Sequence, residues 1–280
     1  MSRLLVCSET DLPSVNMKEC LLGMHRWEDM GSDGSNSYCS YGDTVMVTIP
    51  DMHIRHEDLD KEVERFGVKI DDIIVMSKHS AKSGRAALTA HPIGNYHENM
   101  YGGKAETLVK ASPALMTEAL RLIVQKNDME DNQLCFEVSH HGPYMEKPTF
   151  YIEVGSEQTH WENKHAADIL AHVIDDLEPH DEYPRLVGVG GGHYAPRFTE
   201  VALKFKANFG HMLPIYQMEN RDDEDIVRMV KLACDATDTK VVYLHRKSMK
   251  KPEERRVASL IESAGFEVVS SKDLEPISEN

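Results

Sequence analysis

No stretch of this chain approaches the roughly 18 consecutive apolar residues that a membrane-spanning helix needs. Cysteine is sparse and scattered: Cys7, Cys20, Cys39, Cys135 and Cys234 form no CxxC pair, so neither a disulfide framework nor a thiolate zinc site is implied. The opening MSRLLVC carries one arginine and an apolar run too short for the centre of a signal peptide. The reading is a cytoplasmic protein with no membrane partner. No HExxH occurs, which excludes a zincin, and no GxSxG or P-loop sequence is present. The run Gly190–Gly192 is not GxGxxG and has no suitably spaced acidic residue after it, which argues against a dinucleotide fold. Positive charge is also scarce. Thirty-one Lys and Arg against 47 Asp and Glu give a net charge of −16. A general nucleic-acid binder needs a positive face, so any contact with nucleic acid must be local.

What is present begins with 280 residues, 41% of them hydrophobic, enough for a sizeable core. Short apolar, β-branched runs at 3–7, 44–49, 72–77, 86–91, 134–140, 149–155, 186–190, 240–246 and 266–270 have strand length. Helical spacing lies between several of them. Ser112 caps a helix with Pro113 at its first position. Further helices are predicted over 157–177, 199–208, 222–236 and 252–264, the last ended by Gly265. The stretch 31–37 reads as a loop. Strands alternating with helices mean an α/β fold with a largely parallel or mixed twisted sheet flanked by helices. No linker or repeat divides the chain, so 1–280 is read as a single domain.

Ligands in such sheets bind beyond the carboxyl ends of the strands. Four segments stand out there. They are SKHSAKSG at 77–84 with HPIGN at 91–95, FEVSHHGP at 136–143, GVGGGHYAP at 188–196 and GHMLP at 210–214. Each places histidine beside glycine or proline, where backbone can approach a ligand closely. Fifteen histidines is a high count, but those at 25, 53, 56, 165, 172 and 180 have unremarkable surroundings. One histidine in a loop is usually a hydrogen-bonded structural residue. Six of them, His79, His91, His140, His141, His193 and His211, all so placed, point to a shared site. Histidine and carboxylate without thiolate is the ligand set of a hydrolytic zinc centre. Adjacent His140 and His141 would point to opposite faces of a strand, so both serve one metal only if the strand has ended before them.

The same segments resemble the archaeal and plant D-aminoacyl-tRNA deacylase family. The resemblance runs through SKHSAKSGRAALTAHPIGN, YGG at 101–103, FEVSHHGP, PTFYIEVGS at 148–156, VGVGGGHYAPRFTEVAL and GHMLP, with Asp11 and Asn16 after the opening strand. His97, Cys135 and His160 depart from the pattern and are left out of the site. The resemblance implies a fold similar to peptidyl-tRNA hydrolase and purine nucleoside phosphorylase, bound zinc, and hydrolysis of the ester joining a D-amino acid such as D-tyrosine to tRNA. On that basis His140, His141, His193 and His211 are the metal candidates. Glu137, Glu153 and His91 are candidates for proton transfer or ligand orientation. Backbone N–H groups of Gly191 and Gly192 are candidates for an oxyanion hole. Lys78, His79, Lys82 and Arg85 are candidates for tRNA contact. Arg246, Lys247, Lys250, Lys251, Arg255 and Arg256 form a second basic cluster with no role carried over. The enzyme is expected to be a monomer. Competing readings are another metal-dependent ester or amide hydrolase, a phosphorylase using Ser83, Gly84 and Arg85 as phosphate cradle, and an RNA-binding module without catalysis.

Overall fold

The computed structural model describes residues 2–82 and 84–277; Ser83 of the phosphate-cradle reading lies outside them. The chain opens with β1 (Arg3–Ser8), α1 (Leu12–Met24), the hairpin β2 (Glu28–Asp33) and β3 (Asn36–Tyr41), β4 (Thr44–Ile49) and α2 (Leu59–Arg65). Next come β5 (Asp72–Lys78), β6 (Ala87–Pro92), the short β7 (Gly94–Asn95) and β8 (Thr107–Leu108), α3 (Pro113–Lys126), β9 (Gln133–Phe136) and β10 (Thr149–Gly155). The remainder is α4 (Gln158–Trp161), α5 (Lys164–Asp175), β11 (Arg185–Val189), α6 (Pro196–Lys204), β12 (Asn208–Leu213), α7 (Ile215–Met218), α8 (Asp223–Thr237), β13 (Val241–Leu244), α9 (Lys251–Ser263) and β14 (Glu267–Val269).

The α/β class and the mixed, largely parallel pairing are as read from the sequence, but the strands divide between two main sheets. One has eight strands in the order β2-β3-β4-β1-β5-β10-β6-β9, and the other has four, β12-β11-β13-β14, all parallel. One buried cluster serves both. It runs from Leu5, Ile74 and Phe150 of the large sheet through Met116 and Leu120 of α3 to Leu186, Phe209 and Tyr243 of the small one. No helix among the described residues is long and apolar enough to cross a membrane.

Several local departures have plain physical causes. Ser112 precedes α3, yet its hydroxyl donates to Asp72 instead of capping the helix. The predicted helix over 157–177 breaks at Asn163, whose side chain accepts from the N–H of His165 and of Ala166 and so starts α5 afresh. The loop expected at 31–37 is the tip of the β2–β3 hairpin, and β2 is so exposed and polar that no alternation marks it. The helix after Pro196 ends at Lys204, and residues 208–213 form the fully buried β12.

The topology brings the ends of β5, β6, β9 and β10 together. In β10, Tyr151 is paired across the sheet with His91 of β6, and Glu153 with Ser77 of β5 and Thr89 of β6. Residues two apart share a face, so Tyr151 and Glu153 project to the same side. β9 stops at Phe136. Beyond it the chain is a seam between the sheets: Glu137 N–H donates to Ala90 O, Val138 N–H to His193 O, and Ser139 N–H to Met212 O.

Candidate active site

Two adjoining groups of side chains converge at this seam. In the first, His91, His140 and His141 hold ligand atoms within 4.8 Å of one another, and in the second His79, Glu137 and His193 do the same. His140 and His141 meet because the strand has ended and His141 adopts a left-handed backbone, φ 46°. The loop is held by backbone contact: Gly142 N–H donates to Tyr101 O at 2.9 Å, and Gly94 N–H to His141 O at 2.7 Å. A Cβ at Gly142 would lie 2.1 Å from Gly103 N, and one at Gly102 would lie 1.9 Å from Ile54 O. These approaches explain why the sequence needs glycine in both YGG and HHGP.

In the first group each histidine has the same orientation. Nδ1–H donates to a backbone carbonyl, Pro92 O at 3.1 Å from His91, Val138 O at 2.7 Å from His140 and Gly142 O at 2.6 Å from His141. Each Nε2 is thereby left as the basic nitrogen. Burial, then the neighbouring histidines, holds His140 well below the usual imidazole range. Burial and His91 bring His141 down to about 3. Both are neutral imidazoles near pH 7, the form that binds a metal. In the second group Glu137 is fully buried. Its Oε2 accepts from His193 Nε2 at 2.8 Å, and its Oε1 lies 3.1 Å from His79 Nδ1. His91 Nε2 and Glu137 Oε1 are buried with no hydrogen-bond partner among the described residues.

Glu153 lies between the groups, 3.5 Å from both His79 Nδ1 and His91 Nε2. Burial works against its charge, but His91 and His79 hold it well below the usual carboxylate range. Burial works against charge on the two histidines too, and Glu153 and Glu137 more than offset it, so both bind protons more tightly than free imidazole. A cleft of about 340 Å³ opens on this cluster, lined by Lys78, His79, His140, His141, Glu153 and His193 among others. A second, of about 740 Å³, meets it at Tyr101, His140 and His141.

The structure thus brings Glu137, Glu153, His91, His140, His141 and His193 together. His79, read as a tRNA contact, belongs with them, because it is buried between the two carboxylates with Nε2 2.9 Å from Tyr194 Oη. His211, read as a metal ligand, does not. It is fully buried, with Nε2–H donating to Val109 O at 2.7 Å and Nδ1 2.8 Å from Ser139 Oγ. Both nitrogens are spent on structure. Gly191, read as an oxyanion donor, gives its N–H to Ser248 Oγ at 3.0 Å, while Gly192 is exposed with open space around it. Lys78 lies over the Trp161 ring at the cleft, and Lys82 and Arg85 are exposed beyond it. Sequence reasoning missed Tyr151, whose ring packs on His91 and His141, and His53, 3.2 Å from Tyr151 Oη and 3.3 Å from Asp11 Oδ2. Strand alternation from Glu153 could have found Tyr151. No local signal marks His53.

A family model described as D-aminoacyl-tRNA deacylase matches residues 66–269. A D-aminoacyl-tRNA deacylase of Thermococcus onnurineus is 34% identical over 274 residues, which cover 95% of this chain and 99% of that one. One of Methanococcoides burtonii is 32% identical over 280 residues, 98% of this chain and 57% of that protein. Among solved structures, a crystal structure of a conserved protein of unknown function superposes with a TM-score of 0.87 at 30% identity, covering 99% of each chain.

Proposed function

Because the chain belongs to the D-aminoacyl-tRNA deacylase family, we propose that this hydrolase cleaves the ester between a D-amino acid and the 3′ end of tRNA, working as a monomeric single domain in the cytoplasm. The observation that carries the reading is the convergence of His79, His91, His140, His141, His193, Glu137 and Glu153 on one cleft. Zinc fits this donor set: the neutral imidazoles of His140 and His141 with their Nδ1–H groups already donated, the buried carboxylate of Glu137, and two buried polar atoms, His91 Nε2 and Glu137 Oε1, without hydrogen-bond partners among the described residues. His91, His140 and His141 would hold one ion, and His79, Glu137 and His193 a second. The chemistry that bound zinc supplies is polarisation of a carbonyl and acidification of water.

The protein's own groups do the rest. Glu153 is kept ionised by two histidines, so it can take the proton of an attacking water or hold His91 and His79 in place. Glu137 fixes the ring of His193 at the cleft mouth. The Gly192 N–H, beside His193, is the remaining backbone donor for a developing oxyanion. Tyr151 walls the cleft and keeps it apolar on that side. Lys78, Lys82 and Arg85 contact phosphates of the acceptor end. Matched D- and L-tyrosyl-tRNA, assayed with and without a chelator, test the proposal. Release from the D form alone, abolished by chelator and restored by zinc, is the expected result. Equal rates on both enantiomers would sink it.

A further inference from the structure

The four-stranded sheet ends in a cleft of its own, of about 570 Å³, between the start of α6, the turn after β13 and residues 270–272. Its charge is unlike the rest of the molecule. Four fixed cations, Arg197, Arg246, Lys247 and Lys272, line it against one carboxylate, Glu200. The two clefts that meet at His140 each carry two carboxylates against a single lysine or arginine. In a chain of net charge −16 this lining is more basic than that of either of those clefts.

Two of the cations are held by partners. Arg197 Nε and Nη2 donate to Tyr243 Oη at 2.9 and 2.7 Å, and Nη1 pairs with Glu200. Arg246 pairs with Glu254, and Lys247 and Lys272 are exposed at the rim. Ser270 and Ser271 also line the cleft. His245 registers the local field, since burial and then Arg197 and Lys247 depress its proton affinity. The rest of the basic run does not join: Arg256 is tied to Asp223 and Glu253 on α8 and α9.

The cleft is wired to the catalytic cluster by the glycine loop. A Cβ at Gly190 would lie 2.6 Å from Ser248 Oγ, and one at Gly191 would lie 3.4 Å from His245 Nδ1. Three residues beyond Gly190, His193 bonds Glu137. Three residues of extended backbone span at most about 11 Å. A strand of RNA with its terminal ester at His140 carries a phosphate on every preceding nucleotide, and an acidic body repels them except where cations gather, as they do here and at Lys78, Lys82 and Arg85.

We infer that the cleft bounded by Arg197, Lys247 and Lys272 is an RNA-backbone subsite that binds a phosphate of the strand leading into the active site. The inference rests on the deacylase reading for the identity of the RNA. Anisotropy titration of labelled, uncharged tRNA onto the full chain tests it. Lys247→Glu with Lys272→Glu changes two exposed side chains, and Lys126→Glu with Lys231→Glu makes the same charge change on α3 and α8. The cleft variant should bind at least tenfold more weakly than wild type, with the slope of log affinity against log salt reduced by about 1.4 to 1.8, two contacts' worth. The second variant should lose much less. Equal weakening in both variants, unchanged affinity in the cleft variant, or no tRNA binding by the wild type would each overturn the subsite. Binding is read without turnover. A wild type that binds through Lys247 and Lys272 yet releases no D-tyrosine would overturn the deacylase reading and leave the subsite standing.

Discussion

His193 and His211 come from similar glycine-flanked motifs and do unlike work. His193 is more than a third exposed at the cleft and bonds the buried Glu137, whereas His211 bridges a carbonyl and a hydroxyl inside the core. Replacing His211 by Ala strands the Val109 carbonyl and leaves a hole, and each unsatisfied group costs about 1–3 kcal/mol. H211A should therefore melt several degrees lower by calorimetry. H193A also takes a hydrogen bond from the buried Glu137, but the gap opens on the cleft where water can replace the ring, so it should melt closer to wild type than H211A and lose about a hundredfold or more in kcat/KM. The reverse pattern would exchange their roles. The sequence could nominate both but not separate them, because glycine and proline neighbours mark close backbone approach without saying whether the approaching group is a ligand or the protein itself. The place of His79 is hidden for a related reason: three basic residues near it suggest a surface, and only the pairing of β5 with β10 puts it between Glu137 and Glu153. Away from the site, His56 lies 2.8 Å from Asp51 and 3.2 Å from Glu62, and these pairs raise its proton affinity in spite of burial. A raised folded-state value stabilises fully below the unfolded value of about 6.5 and fades as pH climbs through the folded one. His56→Gln should thus cost more stability at pH 6 than at pH 8.5, as read by urea unfolding at the two pH values; an equal cost would remove the ion pairs from consideration.

Among the elements, the early stop of β9 matters most. A strand continued to residue 140, as the apolar run suggested, would have thrown His140 and His141 to opposite faces. Hydrogen bonds from residues 137–139 to both sheets and the packing of Gly102 and Gly103 on Gly142 end it instead. Gly102→Ala combines a positive φ of 75° with a Cβ 1.9 Å from Ile54 O. The backbone term alone is about 1–2 kcal/mol, and the displaced loop carries the HHGP turn with it. Loss of both thermal stability and deacylation is expected, and a fully active, equally stable G102A would show that the turn is held by something else. The buried strands β1, β4, β5, β6 and β10 were legible as apolar runs, since burial on both faces leaves little else for their composition to express. α1 was not. Its buried positions are Pro13, Ser14, Asn16, Met17 and Leu21, so it offers no apolar stripe, and its one clear sign is Asp11 accepting from Ser14 N–H. β12 was hidden because histidine and glycine interrupt it, the histidine being buried by hydrogen bonds and the glycine packed against Thr237.

At the scale of the molecule, the division into two sheets was not written in strand patterns, which report burial but not partners. The order of the large sheet carries a further consequence. β1 has β4 on one side and β5 on the other, residue for residue from Arg3 opposite Thr44 and Asp72. The family match begins at residue 66, yet β5, whose neighbour β10 carries Glu153, needs that earlier strand as its other flank. A chain begun at 66 would keep every side chain of the cluster and leave β5 as a naked seven-residue edge of Asp, Ile, Val, Met and Ser with one terminal lysine. Such edges recruit strands from other molecules. Residues 66–280 made alone should sediment as aggregate, and supplying residues 1–65 as a separate peptide should return the sedimentation profile of the full chain and its activity together. The first quarter of the chain is thus the cover for an edge that the rest of the sheet would otherwise bare to other molecules.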